Sequence, residues 1–221
     1  MNSLLENETA IFIVVSFIFF CIFVSILLLT LRQRRKVREY FSVFAGKLAC
    51  AASIPEGFFG GFPSITGTYR KRSLHVFMFT RSSGSGKNRR STTYTAFTLD
   101  VRNPDGFEFH IYEQGFFSTL MTKFGMQDIQ IGDEAFDKEY IVKSNDESKV
   151  RGMLTPMLIT KFMDFAERYT GFGIRLKGSQ FYYERPVTIT NDKALQQFEE
   201  KINFICDIAD QIEELNRQRR N

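Results

Sequence analysis

Hydrophobic and polar positions divide the chain into two unlike parts. From Ala10 to Leu31 it reads AIFIVVSFIFFCIFVSILLLTL, 22 residues without a charge, and RQRRKVR follows immediately. As a helix this run rises roughly 33 Å, enough to cross a ~30 Å hydrocarbon core. Seventeen of the 22 residues are Ile, Leu, Phe or Val. Each of these favours the helix centre by about 0.3–0.6 kcal/mol, which outweighs Ser16, Ser25 and Thr30. A cleaved signal peptide would need a positive leader, a shorter apolar run and a small-residue cleavage site. Here the leader carries Glu6 and Glu8, and bases stand where cleavage would fall. The expected organisation is a leader at 1–9, a transmembrane helix at 10–31, a basic juxtamembrane amphipathic helix at 32–56 and an α+β domain at 57–221.

Past the span the period changes. Val37, Tyr40, Phe41, Phe44, Ala45 and Leu48 recur at helical spacing, so the helix continues with one apolar face, to lie on the membrane or, more commonly, to pack on the domain. PEGFFGGFP (55–63) breaks it. Ser64–Tyr112 alternates as a β-meander. Leu74, Val76 and Met78 interleave with His75, Phe77 and Phe79, which predicts a central strand apolar on both faces. SSGSGKNRRS (82–91) reads as a long flexible hairpin loop, and Asn103-Pro-Asp-Gly106 as a type I turn, after which Phe107, Phe109 and Ile111 point inward. A short helix is expected at Phe116–Phe124, and short strands at 128–131 and 140–143. Ser144-Asn-Asp-Glu147 has the form of a capping box. Thr155-Pro156 has the form of an N-cap and N1 pair where two helices meet.

Gly178-Ser179 joins two strands as a tight hairpin. The chain then reads as a long helix, Asp192–Arg217. Its Leu195, Phe198, Ile202, Ile205, Ala209 and Ile212 alternate by three and four. Either a coiled-coil dimer or packing across a sheet would bury that stripe, and Ile208 and Leu215 widen it in favour of packing. The fold class expected is therefore α+β: an N-terminal transmembrane helix, then an antiparallel sheet of six to eight strands covered by helices.

Charge refines this picture. The net +4 over 221 residues is unevenly spread. Residues 57–99 hold seven Lys/Arg and no acid, whereas 100–150 hold eleven acids against five bases, a net of −6. A basic edge and an acidic edge argue against a nucleic-acid binder, which would be basic throughout. Arg32, Arg34, Arg35, Lys36 and Arg38 follow the span while the leader has no Lys or Arg. The positive-inside rule then places the N-terminus outside and the domain in the cytoplasm, at the cell membrane. Those five bases, with Arg81, Lys87, Arg89 and Arg90 of the hairpin loop, are the candidate contacts to anionic phospholipid headgroups or to an acidic protein partner. Fixing topology alone is the competing role for the first five, and simple solvation for the loop.

Catalytic chemistry finds less support. Ser85-Gly86-Lys87 lacks the P-loop's outer Gly and its Ser/Thr, since Arg81 and Asn88 stand there. Of the two histidines, His75 is expected to be buried and His110 to face out. Cys21, Cys50 and Cys206 have no CxxC spacing and read as free thiols. No nucleophile or zinc motif occurs and no cofactor is expected. A non-catalytic interaction or membrane-proximal accessory domain is the leading reading. A hydrolase or ligand-binding enzyme using the acidic segment Asp133–Glu139 is the alternative.

One segment carries a resemblance. Gly132-Asp-Glu-Ala-Phe-Asp-Lys-Glu-Tyr-Ile-Val-Lys-Ser-Asn-Asp146, with Val150–Pro156 after it and Gly67-Thr-Tyr-Arg-Lys-Arg72 before it, resembles sequences of bacterial membrane-anchored proteins of unknown function over Ser64–Tyr169. The resemblance implies a bacterial anchored cytosolic domain and no activity, so no functional residue transfers. Physically, Phe136 and Tyr140 should plug the core, while Asp137 and Asp146 should serve turn and cap.

Overall fold

The computed structural model describes residues 2–55, 57, 60–115, 128–169 and 171–218, with side chains from residue 12 onward. Helix α1 (Asn2–Leu48) carries the apolar run and passes the basic cluster without a break. Its apolar part is bare: Phe12 is 73% exposed and Phe19 68%. Exposed apolar surface of that extent marks an interaction surface, and by length and composition the helix is compatible with a membrane anchor. Its last turns are buried instead. Val37, Phe41, Phe44, Ala45 and Leu48 all enter the core, the two phenylalanines contributing about 1.5–3 kcal/mol each. The amphipathic stretch thus packs on the domain. It stops at Leu48, short of 56, because Ala49 turns left-handed (φ 51°) and the Cys50 amide closes back on the Ala45 carbonyl at 2.9 Å.

Strands β1 (Ala51–Ser53), β2 (Ser64–Tyr69), β3 (Arg72–Ser83) and β4 (Arg90–Asp100) pair in succession. The expected meander ends there. β5 (Phe109–Glu113) pairs with β7 (Tyr140–Ser144) and with β8 (Gly173–Lys177), and β9 (Gln180–Arg185) lies between β8 and β4. β6 (Asp128–Ile129) closes the far edge of a nine-stranded antiparallel sheet ordered β1-β2-β3-β4-β9-β8-β5-β7-β6. The Asn103–Gly106 turn forms, but its Asn103 amide donates both to Phe107 O (2.7 Å) and to Gly178 O (2.5 Å). It is therefore pinned over the β8–β9 hairpin, which takes the place beside β4. The count exceeds the expected range through β1, whose three exposed residues carry no periodicity.

Between the strands lie α2 (Glu134–Glu139), α3 (Glu147–Met153) and α4 (Pro156–Arg168), and α5 (Asp192–Gln218) ends the described chain. The helix expected at Phe116–Phe124 lies outside the described residues. α5 buries its whole stripe, Leu195 to Ile212, within the domain. Phe198 meets Phe97 and Tyr183 of the sheet edge-on, and Phe204 meets Phe162 of α4 at 4.9 Å. Packing across the sheet is what the stripe serves. The β2–β3 turn docks on the same helix. Arg70 and Lys71 take positive φ, and Arg70 and Arg72 reach Asp207, Asp210 and Glu213. The Thr155 cap and Pro156 start α4 as expected. The capping box does not form, because Ser144 ends β7 and the N-cap of α3 is Asp146, accepting from Lys149 N at 2.8 Å.

Candidate functional site

Two contacts set how the sheet sits along α1. Cys50, just past the end of α1, lies against Gly67 in β2. At the other end of β2, Pro63 shares a cavity with Thr30, Arg34 and Arg38 of α1. β2 therefore runs away from the span. β3, antiparallel to it, runs back. Met78 and Thr93 also line that cavity, and β3 continues from there to Ser83. Five more residues of strand extend roughly 16 Å, which carries the tip of the β3–β4 hairpin well past the cavity.

Basic side chains stand both on α1 past the apolar run and at the hairpin tip. Arg32, Arg34, Arg35 and Lys36 are exposed on the turns after the span. Arg38 is half-buried and donates from Nη2 to Gly57 O at 2.6 Å, tying Gly57 to α1. At the hairpin tip the strands extend further than the sequence suggested. The loop shrinks to 84–89 and holds a 3-10 turn, Gly86–Asn88, with Lys87, Arg89 and Arg90 exposed around it. A long flexible loop at 82–91 is thereby corrected: cross-strand pairs Ser82–Ser91 and Ser83–Arg90 continue the ladder. Arg81 belongs to β3 rather than to the loop. Its guanidinium grips Glu184 of β9 through two bonds (2.8 and 2.9 Å) and lies 4.7 Å from the Tyr94 ring centre. The Glu184 bond holds Arg81 charged, its pKa raised above the usual value.

Between α1 and the sheet lies a cavity of about 380 Å³. Its lining pairs Arg34 and Arg38 with the Thr93 and Thr188 side chains and the apolar surfaces of Phe62 and Met78. None of the last four carries a motif. They converge through tertiary packing, so the sequence offered no signal for them.

The other candidates take structural roles. In the acidic segment, Asp133 caps α2 by accepting from Phe136 N at 3.0 Å, and Asp137 accepts from the Ile131 and Gly132 amides, both at 2.8 Å. Asp128 pairs with Lys143. Asp133, Asp137 and Asp128 are thus engaged in a cap, a turn and an edge ion pair. Among the described residues no three His, Cys, Asp or Glu side chains gather as metal ligands. Phe136 and Tyr140 stack at 5.0 Å in the core as expected.

His75 is less buried, and His110 more buried, than expected. Both lie on the sheet face opposite the helices, with β4, β9 and β8 between their strands. His75 is half-buried and stacks on Phe77 at 4.8 Å. His110 does face outward but is buried among its neighbours at 8% exposure. Burial, with the nearby Arg175 and Lys143 charges, pushes its pKa down to about 4. The Cys206 thiol is also buried, and that burial pushes it up to about 11.

An apolar helix that runs into the core of an antiparallel sheet, with bases at the junction, defines a domain built onto a membrane-type helix. Residues 88–216 match DUF3137, described as a protein of unknown function, and the chain belongs to that family. The match begins inside the β3–β4 hairpin, so α1 and the first three strands lie outside it. Among solved structures the chain is similar to the crystal structure of the mycobacterial trehalose monomycolate transport factor A, TtfA. The TM-score is 0.53 at 11% identity, covering 80% of this chain and 95% of that one. At that identity the likeness concerns the fold. None of the curated proteins compared matches the chain.

Proposed function

We propose that this is a single-pass membrane protein of bacterial type whose domain is a non-catalytic accessory module held against the bilayer surface, in the cytoplasm. The observation that carries the reading is the continuity of α1. One helix is bare and apolar at Phe12 and fully buried at Phe41 and Phe44, so the domain is fixed to its anchor rather than tethered by a linker. In that pose Arg32, Arg34, Arg35 and Lys36 reach anionic headgroups, at about 1 kcal/mol per base, and Lys87, Arg89 and Arg90 of the hairpin tip join them. The fold is shared with a protein named as a transport factor, which is in keeping with an accessory role. A protein partner is part of the same proposal, and co-purification with the full chain would reveal it.

The test is amide exchange of the full chain in nanodiscs. Residues 82–91 should exchange more slowly in anionic than in zwitterionic bilayers. The difference should fade with salt and disappear when Lys87, Arg89 and Arg90 become Ser. Exchange indifferent to lipid charge would sink the headgroup contact. Cytoplasmic placement rests on the basic flank, and a reporter fused after Asn221 checks it: periplasmic activity would overturn it.

A further inference from the structure

We propose that the cavity at the exit of α1 is a site for the phosphate-bearing headgroup of a single phospholipid, taken from the leaflet beside it. The volume of about 380 Å³ falls in the range of small-molecule sites. Arg34 and Arg38 are spaced i, i+4 and so share one face of α1, and both line the cavity. Guanidinium groups match phosphate oxygens in shape and charge. Across from them Thr93 and Thr188 offer hydroxyls suited to ester or glycerol oxygens. A bare anion would need only these groups. The cavity adds Phe62, 46% exposed, and Met78 as apolar lining, and Thr30, in the last turn of the apolar span, lines it too. Bases, hydroxyl-bearing residues and apolar residues in one lining together fit an amphiphile whose acyl chains remain along the apolar surface of α1.

The inference rests on α1 crossing a bilayer but not on the hairpin contact. The hairpin tip meets headgroups as an unselective charged layer, whereas the cavity holds one lipid per chain. Arg38 also donates to Gly57 O, so it holds that residue as well as lining the cavity.

Native mass spectrometry of the full chain in detergent, with phosphatidylglycerol as the probe, tests this. One lipid should stay bound per chain, and millimolar inorganic phosphate should not displace it. Thr188→Phe, which fills the space without changing charge, should lower retention about tenfold, as should Arg34→Gln, which removes one charge-assisted contact at an exposed position. Unchanged thermal unfolding of the Arg34 variant keeps the result interpretable if Thr188→Phe folds poorly. Replacing Lys87, Arg89 and Arg90 by Ser should leave the bound lipid in place while removing the exchange difference at 82–91, so the two contacts fail separately. Absence of a retained lipid, retention indifferent to both cavity variants, or displacement by inorganic phosphate would each overturn the proposal.

Discussion

Cys50 lies so close over Gly67 that a β-carbon on the glycine would come within 2.7 Å of its Sγ and 2.9 Å of its Cβ. This contact holds the residue just past the end of α1 against β2. Gly67→Ala should therefore destabilise the domain by about 1–3 kcal/mol, the usual cost of overpacking. Adding Cys50→Ala should recover only part of that loss, since the Cys50 Cβ position remains. Chemical denaturation of the single and double variants measures both. Full additivity would mean that the two residues do not share the contact.

The anchor and the domain should also be energetically one unit. Phe41→Ala or Phe44→Ala removes a ring with no exposed surface and should cost about 3–5 kcal/mol. Thermal unfolding of the full chain reads this. A loss below 1 kcal/mol would mean that α1 is only tethered to the sheet.

Much of this was readable in the sequence, for definite reasons. The α5 stripe, the Thr155-Pro156 junction and the Gly178-Ser179 turn each depend on local chemistry and stand where the pattern put them. What escaped it was non-local. β5 pairs with β8 because Asn103 bonds to the β8–β9 turn, a partner far away in sequence. Arg81 reads as a loop base until Glu184 arrives beside it from β9. His110 alternates as an outward residue, and only Arg175 and its neighbours bury it. The cavity lining comes from five separate segments, so no spacing could announce it.

His110 gives the domain a pH dependence of definite sign. Its folded pKa is about 4, below the ~6.5 of an unfolded chain. Between those values the unfolded state binds more protons, so stability rises with pH through that window and is lost as pH falls through it. The full swing is at most about 3 kcal/mol. Denaturation midpoints from pH 4 to 7 should flatten in His110→Gln. An unchanged slope would assign the dependence to other groups.

The clasp between Arg81 and Glu184 should hold the base of the β3–β4 hairpin. Both side chains are partly exposed, 36% and 14%, so a coupling energy of about 0.5–1 kcal/mol is expected after solvent screening. A double-mutant cycle with Arg81→Ala and Glu184→Ala measures it, and zero coupling would make the pair incidental.

The most direct test of the account is the depth of the hairpin tip. A spin label on Ser85→Cys, in a Cys21→Ser background, reports it because burial pushes the Cys206 thiol up to about 11 and also raises that of Cys50, leaving them slow to react. In nanodiscs holding the full chain, power-saturation measurements should place the label at the headgroup layer of an anionic bilayer. A label in bulk water, equally accessible to polar relaxants with and without the bilayer, would contradict the membrane-facing orientation of the sheet.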